Sequence, residues 1–468
     1  MALFSLPPAF ANRMQQQLGP EFADYEKVLQ QPAPVSIRIN KSKVAEEPGL
    51  ERVPWSKTGY YLPERPSFTI DPLLHAGAYY VQEASSMFLE QAFLQATEHK
   101  SALRVLDLCG APGGKSTHLA SLISKDSLLI SNEVIRARAQ ILAENIQKWG
   151  APNVVVTNSD PREFQKLEGF FDVLVIDAPC SGEGLFRRDP EAMNEWSEAN
   201  VKLCSERQKR IVMETWDALR PGGILIYSTC TYSPEENELN LAWLAKNTEA
   251  ESVKLNILPE WNLVEKSHAG FSGYQFYPHK VKGEGLFMAV VRKAGNEESS
   301  TVKKARHSKF PLLNKAGLEG LKNWVTEDKS LALLHLQENI IGAFPQYYIP
   351  ELDVLRNNLH IISAGTDVAE VVKKDFKPLH AFALSPLLNA NAFSTADLDW
   401  EQALRYLHKE DIALPDAENG WVLVRYKNLP LGWAKKIGPR TNNYYPKEWR
   451  IRMDIEEVTR AGEPVSVL

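Results

Sequence analysis

Two cysteines in this 468-residue chain stand where a thiol can act as a nucleophile. Cys180 lies in Asp177-Ala178-Pro179-Cys180-Ser181-Gly182, and Cys230 in Ser228-Thr229-Cys230-Thr231. Each follows a short aliphatic run, Val173 to Ile176 and Ile224 to Tyr227, that reads as a buried strand. Both thiols therefore fall just past strand ends, among small polar residues. Beyond Cys230, Ser233-Pro234-Glu235-Glu236 reads as a helix start, whose free amides would draw a nearby thiol toward its thiolate. Cys109, Cys180, Cys204 and Cys230 show no Cys-x-x-Cys spacing, which argues against a zinc site, a disulfide framework and a dithiol redox centre. No metal is expected, and Cys204, inside an apolar helical stretch, reads as packing. A thiolate beside a carboxylate suits alkylation of a pyrimidine at carbon 5. Addition of the thiolate to carbon 6 makes the ring an enamine, and an acid near nitrogen 3 stabilises it. The methyl group then transfers, and loss of the carbon 5 proton expels the thiolate. Asp177 could hold nitrogen 3 and the exocyclic amine of cytosine. On the residues alone, Cys180 and Cys230 are interchangeable as the nucleophile.

The methyl donor needs its own site. After the strand-like run Arg104 to Leu108 comes Cys109-Gly110-Ala111-Pro112-Gly113-Gly114-Lys115, opening a helix near Ser116. Glycines let a backbone approach a ligand closely, and the helix start offers free amides, so a nucleotide or nucleoside is expected. Gly114-Lys115-Ser116 matches the end of a phosphate-binding P-loop, but Cys109 stands where that loop requires its first glycine. A nucleotidase reading loses ground. Glu133, about 20 residues past the loop and beyond the run Leu128 to Ser131, stands where an acidic group bonds ribose hydroxyls. Asp160 follows a third run, Val154 to Val156. A glycine-rich corner alone explains only a tight turn; Glu133, Asp160 and Asp177 at successive strand ends are what favour a ligand.

The elements that position these residues alternate strand and helix from 101 to 293. Arg136 to Trp149 and Val201 to Leu219 carry apolar residues at helical spacing, and strand-helix repetition implies a parallel sheet covered on both faces. The expected class is α/β with a Rossmann-like doubly wound core, closed by an antiparallel pair, Tyr274 to Tyr277 and Phe287 to Val291. Composition is that of a folded protein, 44% apolar and 24% charged, with a net charge of −6 that argues against indiscriminate coating of nucleic acid. No apolar run reaches the roughly 18 residues of a membrane helix, and the start Met-Ala-Leu-Phe-Ser-Leu-Pro-Pro lacks the basic flank of a secretion signal. A cytoplasmic protein with reduced thiols is expected. Asn296 to Lys309 is polar and small throughout and reads as a linker, behind which the tail must fold on its own. The expected division is 1–100, an α/β extension that binds RNA; 101–295, the catalytic domain; 296–309, the linker; 310–390, a middle module; and 391–468, a β-rich module. That last stretch carries Arg425, Lys427, Lys435, Lys436, Arg440, Lys447, Arg450 and Arg452 against Glu448, interleaved with Trp433, Tyr444, Tyr445 and Trp449. Cations for phosphates beside aromatics for bases suit RNA.

Three motifs in order, Cys109-Gly-Ala-Pro-Gly-Gly-Lys115, Asp177-Ala-Pro-Cys-Ser-Gly-Glu-Gly184 and Ser228-Thr-Cys-Thr231 with Pro234-Glu-Glu-Asn-Glu238, resemble the NOL/NOP/Sun family of RNA (cytosine-5)-methyltransferases. The resemblance implies S-adenosylmethionine as cofactor, Cys230 as nucleophile, Cys180 assisting release, and Lys115 and Asp177 in the catalytic cluster. It also implies that Cys109, Gly110, Ala111, Pro112, Gly113, Gly114 and Lys115 meet the methionine part of the cofactor. Glu133 would meet the ribose and Asp160 would sit near the adenine, with Asp177 near the target base, and Arg138 corresponds to an arginine common in the family. Pro34-Val-Ser-Ile-Arg38-Ile-Asn40 looks like the family's Arg-x-Asn element, which puts Arg38 and Asn40 among the RNA-binding residues. Tyr80-Val-Gln82-Glu83-Ala-Ser85-Ser86, Tyr277-Pro278-His279 and Gly283-Glu-Gly285 resemble flanking family elements. Glu133 replaces the more frequent aspartate, and Asp160-Pro161-Arg162 the more frequent Asp-Gly-Arg. The tail resembles the bacterial RsmF branch. Lys374-Asp-Phe376-Lys-Pro378-Leu-His380 falls in the middle module, and Leu431-Gly-Trp433-Ala-Lys435 with Asn442-Asn-Tyr444-Tyr-Pro446 in a PUA-like RNA-binding module. There Lys435, Lys436, Arg440, Tyr444 and Lys447 are the expected RNA contacts. The implied activity is methylation of cytosine carbon 5 in small-subunit (16S) ribosomal RNA, naked or assembled; the oligomeric state is open in the sequence, with a monomer the expectation. The alternatives are the same chemistry on tRNA, or a non-catalytic RNA-binding assembly factor on this fold.

Overall fold

The computed structural model describes residues 5–295, 310–326, 328, 330–463 and 467–468; the expected linker, 296–309, lies outside them. Strands Arg104–Asp107, Leu128–Asn132, Val154–Thr157, Phe171–Asp177 and Leu219–Thr229 run parallel, as their continuous aliphatic runs predict for a sheet buried on both faces. The strand order places Arg104–Asp107 between Phe171–Asp177 and Leu128–Asn132. The chain thus turns first to one side of Arg104–Asp107 and later to the other, the switch point at which doubly wound sheets open a crevice. The loops carrying Cys109 and Asp177 flank that crevice. Leu286–Lys293 and Phe271–Phe276 add antiparallel strands beyond Leu219–Thr229, as expected, and Val264–His268 extends them. Helix Arg136–Trp149 buries Ala139, Leu142, Ala143, Ile146 and Trp149 at helical spacing and ends at Gly150, whose φ of 89° suits the left-handed cap.

One helix begins later than its sequence suggests. Ser233 to Asn237 is a turn, and the helix runs Glu238–Asn247. Its first amides are not delivered beside Cys230. Side chains hold the turn out of helical shape: the Thr229 hydroxyl donates to Asn237 Oδ1 at 2.6 Å, and Asn237 Nδ2 donates to the Thr231 carbonyl at 3.1 Å.

The tail does not fold on its own. Ile361–Ala364 pairs antiparallel with Val154–Thr157 and becomes the edge strand of the catalytic sheet. Phe344, Tyr348, Leu352, Leu355 and Leu359 join the core beneath that sheet with Leu106, Ile130, Leu174 and Leu225. On the opposite face Trp55, Phe88 and Phe93 of the amino-terminal portion pack with Val105, Leu129, Val175 and Met288. The amino-terminal three-stranded sheet, Val35–Ile39, Gly59–Leu62 and Tyr79–Val81, in turn shares a core with the carboxy-terminal one. Ile37, Ile39 and Leu73 pack with Leu404, Val422, Val424 and Leu431, and the Trp400 indole donates to the Ile70 carbonyl at 3.0 Å. Each module exposes an apolar face that only another module covers.

Candidate active site

Strand ends bring the two thiols together. Cys180 Sγ and Cys230 Sγ lie 3.0 Å apart, and the Cys230 amide donates to Cys180 Sγ at 3.3 Å. The hydrogen bond with Cys230, reinforced by burial, holds the Cys180 thiol well above the usual range, so Cys180 stays protonated. Beside them, Asp177 accepts from the Ser228 hydroxyl and from the Lys115 ammonium, each at 2.8 Å. Burial disfavours the Lys115 charge, but the Asp177 charge and hydrogen bond outweigh it and Lys115 titrates higher than an ordinary lysine.

The glycine loop is braced from behind. Gly113, with φ of 122°, caps the helix Gly114–Leu122, and a β-carbon there would crowd Asn145 at 3.2 Å. Asn145 Nδ2 donates to the Pro112 carbonyl at 2.7 Å, and Arg138 Nη2 to the Ala111 carbonyl at 3.0 Å. The same arginine lies 3.4 Å from Glu133 Oε2, while Glu133 Oε1 accepts from the Ile135 amide at 2.9 Å. Asn132 donates to the carbonyls of Leu108 and Ser159, fastening the Asp160 loop to the Cys109 loop. Asp160 itself caps the turn Pro161–Lys166, and its bond with Arg162 holds it below the usual carboxylate range. Cys109, Lys115, Glu133, Arg138, Asp160 and Asp177 thus converge on one end of the sheet.

Asp107 was not among the expected residues. It ends the strand Arg104–Asp107, directly after the buried Val105 and Leu106, and a carboxylate in that position is itself a signal. Its Oδ2 accepts from the Ser116 hydroxyl at 2.6 Å, while Oδ1 is buried without a hydrogen-bond partner among the described residues. Burial, with Asp177 and Glu133 nearby, pushes its carboxyl up to about 7. An orphaned buried acceptor beside a glycine loop fits a cationic or hydroxylic ligand group. Gln208 also carries structure here and was not singled out, while Ser228 and Glu236 entered only as members of motifs.

The expected RNA contacts divide. Arg38 and Asn40, expected at an RNA-binding surface, are instead buried inside the protein. Arg38 donates to Gln82 Oε1 at 2.8 Å and to the Thr117 hydroxyl at 2.6 Å, over the Trp149 ring. Asn40 Nδ2 donates to the carbonyls of Gly77 and Trp149. Both fasten the amino-terminal sheet to the catalytic helices. Lys436 donates to the carbonyls of Pro415 and Ala417, which ties it to a loop. Lys435 lies over the Trp421 ring, against which Tyr444 packs edge-on at 4.7 Å, and Arg440 and Lys447 are exposed. No helix among the described residues is long and apolar enough to cross a membrane.

Three family descriptions match successive parts of the chain. They are the N-terminal domain of 16S rRNA methyltransferase RsmF over residues 6–84, 16S rRNA methyltransferase RsmB/F over 92–292, and the methyltransferase RsmF PUA domain over 393–451. Ribosomal RNA small subunit methyltransferase F of Vibrio cholerae is 32% identical over 475 residues, covering 95% of this chain and 97% of that protein. The Citrobacter koseri protein of that name is 31% identical, covering 94% and 96%. Among solved structures, a methyltransferase homolog protein from Pyrococcus horikoshii matches with a TM-score of 0.52 and 29% identity, over 61% of this chain and 94% of that one. NSun6 from the same organism, crystallised with SFG, shares the fold at a TM-score of 0.51 and 20% identity, over 62% and 99%. With this identity along nearly the whole length, the chain belongs to the family of ribosomal RNA small subunit methyltransferases F.

Proposed function

We propose that this chain transfers a methyl group from S-adenosylmethionine to carbon 5 of a cytosine in small-subunit (16S) ribosomal RNA, through a bond between Cys230 and carbon 6. The observation that carries the reading is the pair of sulfurs 3.0 Å apart beside the Lys115–Asp177 ion pair. Bound S-adenosylmethionine supplies an electrophilic methyl group. The residues present fit it: Asp107 Oδ1 would take its ammonium, Glu133 its ribose hydroxyls, and the loop Cys109 to Lys115 its methionine backbone, with Asp160 toward the adenine.

Cys230 adds to carbon 6, its thiol proton passing to nitrogen 3, while Asp177, held by the Lys115 ammonium, accepts from the exocyclic amine and from the nitrogen 3 so protonated. After carbon 5 has taken the methyl group a base removes its proton, and the electron pair left behind forms the carbon 5–carbon 6 double bond and expels the Cys230 sulfur. Cys180, held protonated, donates its S–H to the departing thiolate. Outside this centre, a cleft of about 710 Å³ lined by Arg65, Arg187 and Arg188 gives the RNA strand a path along the loop that follows Cys180. Lys435, Tyr444, Arg440 and Lys447 offer a second contact in the carboxy-terminal module. The reading is of a monomeric, cytoplasmic enzyme of five segments, 1–100, 101–295, 296–309, 310–390 and 391–468, of which 310–390 completes the catalytic sheet.

Two variants test it. Cys180→Ala, incubated with cofactor and small-subunit RNA, should accumulate a covalent RNA complex on a denaturing gel, and Cys230→Ala should neither trap nor methylate. A reversed pattern would exchange the two roles, and a wild type that leaves the RNA unmethylated would defeat the reading.

A further inference from the structure

The two reactive thiols belong to different loops, and nothing covalent holds them at 3.0 Å. A fully buried carboxylate does. Glu236 Oε2 accepts from the Ser181 amide at 3.0 Å, and Oε1 accepts from the Ser181 hydroxyl at 2.5 Å, so one side chain grips the residue next to Cys180 twice. The Ser181 hydroxyl oxygen also lies 3.0 Å from that of Thr231, the residue next to Cys230. Gln208 Nε2 donates both to Glu236 Oε2 at 2.7 Å and to the Pro179 carbonyl at 3.0 Å, one residue before Cys180. Gln208 is itself fixed, since Asn240 Nδ2 donates to its Oε1 at 2.8 Å. The Tyr227 hydroxyl sits 2.7 Å from the Glu236 carbonyl, anchoring the turn to the strand that delivers Cys230.

We infer that Glu236 is a positioning residue that clamps the Cys180 and Cys230 loops together, setting the sulfur-to-sulfur distance on which nucleophile release depends. The inference rests on the proposed cytosine chemistry for its purpose but not for its geometry. Glu236 touches neither sulfur, and every described partner of its carboxylate is a donor fixed in the protein. The bonding pattern needs no particular charge. A protonated carboxyl, or a glutamine, can donate to the Ser181 oxygen while its carbonyl oxygen accepts from the Ser181 amide and Gln208, the Ser181 hydroxyl then turning to Thr231. That tolerance matters because burial pushes the Glu236 carboxyl up to about 7. Glutamine therefore preserves a clamp and abolishes a proton shuttle, which separates the two roles.

The measurement needs neither RNA nor cofactor. Diamide takes two electrons and two protons from a thiol pair, becoming the hydrazine as the disulfide forms, so its rate of linking Cys180 to Cys230, read by peptide mapping, reports how the sulfurs are held. Glu236→Ala should slow that linkage by about tenfold or more, and Glu236→Gln should stay within about threefold of the wild type. Glu206→Gln, in an exposed pair with Lys209, serves as the unchanged control. If Glu236→Ala does not fold, Ser181→Ala decides the matter, because it cuts the link to Thr231 and should slow the linkage in the same way. Wild-type linkage rates in the alanine variants, a glutamine variant as slow as alanine, or a wild type that does not link these two sulfurs would each overturn the inference. A wild type that shows this linkage pattern but leaves the RNA unmethylated would count against the cytosine reading alone.

Discussion

Asp107→Asn is expected to make the unliganded protein more stable with rising pH while crippling its cofactor site. The wild-type carboxyl, ordinarily near 3.8, is pushed up to about 7 in the folded protein by burial, with the Asp177 and Glu133 charges adding to it. A raised carboxyl binds its proton more tightly when folded, so its contribution to stability is present below pH 3.8 and is lost as the pH climbs to about 7. At about 1.4 kcal/mol for each pH unit inside that window, the wild type loses about 2.5 kcal/mol relative to the asparagine variant between about pH 5 and pH 8. Urea unfolding of both proteins at the two pH values measures the difference directly. The ligand arm has the opposite sign. Replacing a charge-assisted contact to the cofactor ammonium should cost about 1.5–3 kcal/mol, or roughly 10- to 100-fold in affinity. Binding to the wild type below pH 7 should also release a proton, which calorimetry in two buffers of different ionisation enthalpy detects. A stability difference that stays flat from pH 5 to 8 would refute the reasoning, since it would mean Asp107 is already ionised throughout.

Three shorter tests follow from the packing and the RNA assignments. Leu352→Ala, in the core shared by the middle module and the catalytic sheet, should cost about 2–5 kcal/mol and lower the melting of the cofactor site in the same transition; two separate transitions would contradict a shared core. Arg38→Met should destabilise by about 1–3 kcal/mol by stranding its buried partners, Gln82 and Thr117, and should leave the salt dependence of RNA binding unchanged. Arg440→Ala and Lys447→Ala, by contrast, should each flatten the slope of log affinity against log salt by about 0.7 while leaving melting unchanged.

The catalytic sheet was legible because its strands are short aliphatic runs with chemistry at one end, and the helix Arg136–Trp149 because its apolar spacing and terminal glycine agree. What the sequence concealed shares one cause, burial by a distant partner. Val35-Ser36-Ile37-Arg38-Ile39-Asn40 alternates apolar and polar residues like a strand with one wet face. In the folded chain its apolar side meets the carboxy-terminal module, through Ile37 and Ile39, and its polar side meets the catalytic helices. Arg38 and Asn40 therefore lost the solvent that local reading granted them. Ile361-Ile362-Ser363-Ala364 looks like any small strand, and no local feature says that its partner is Val154–Thr157. Asp107 was hidden in the opposite way, inside the strand-like run Arg104 to Leu108, where it is a buried carboxylate. The late helix start near Glu238 came from side-chain bonds of Glu236 and Asn237, which propensity does not record.

The edge strand Ile361–Ala364 also sets an order of events during synthesis. Val154-Val155-Val156 forms an edge of β-branched residues, a ready template for pairing with another chain. Its cover is encoded about 200 residues later, and at ribosomal speeds of roughly 5–20 residues per second that edge stays bare for about 10–40 seconds on every nascent chain. The emerging catalytic domain is thus a polypeptide with an open seam, dependent on chaperones or on slow pairing until the middle module leaves the ribosome. Expression of the first 295 residues alone would make that transient exposure permanent.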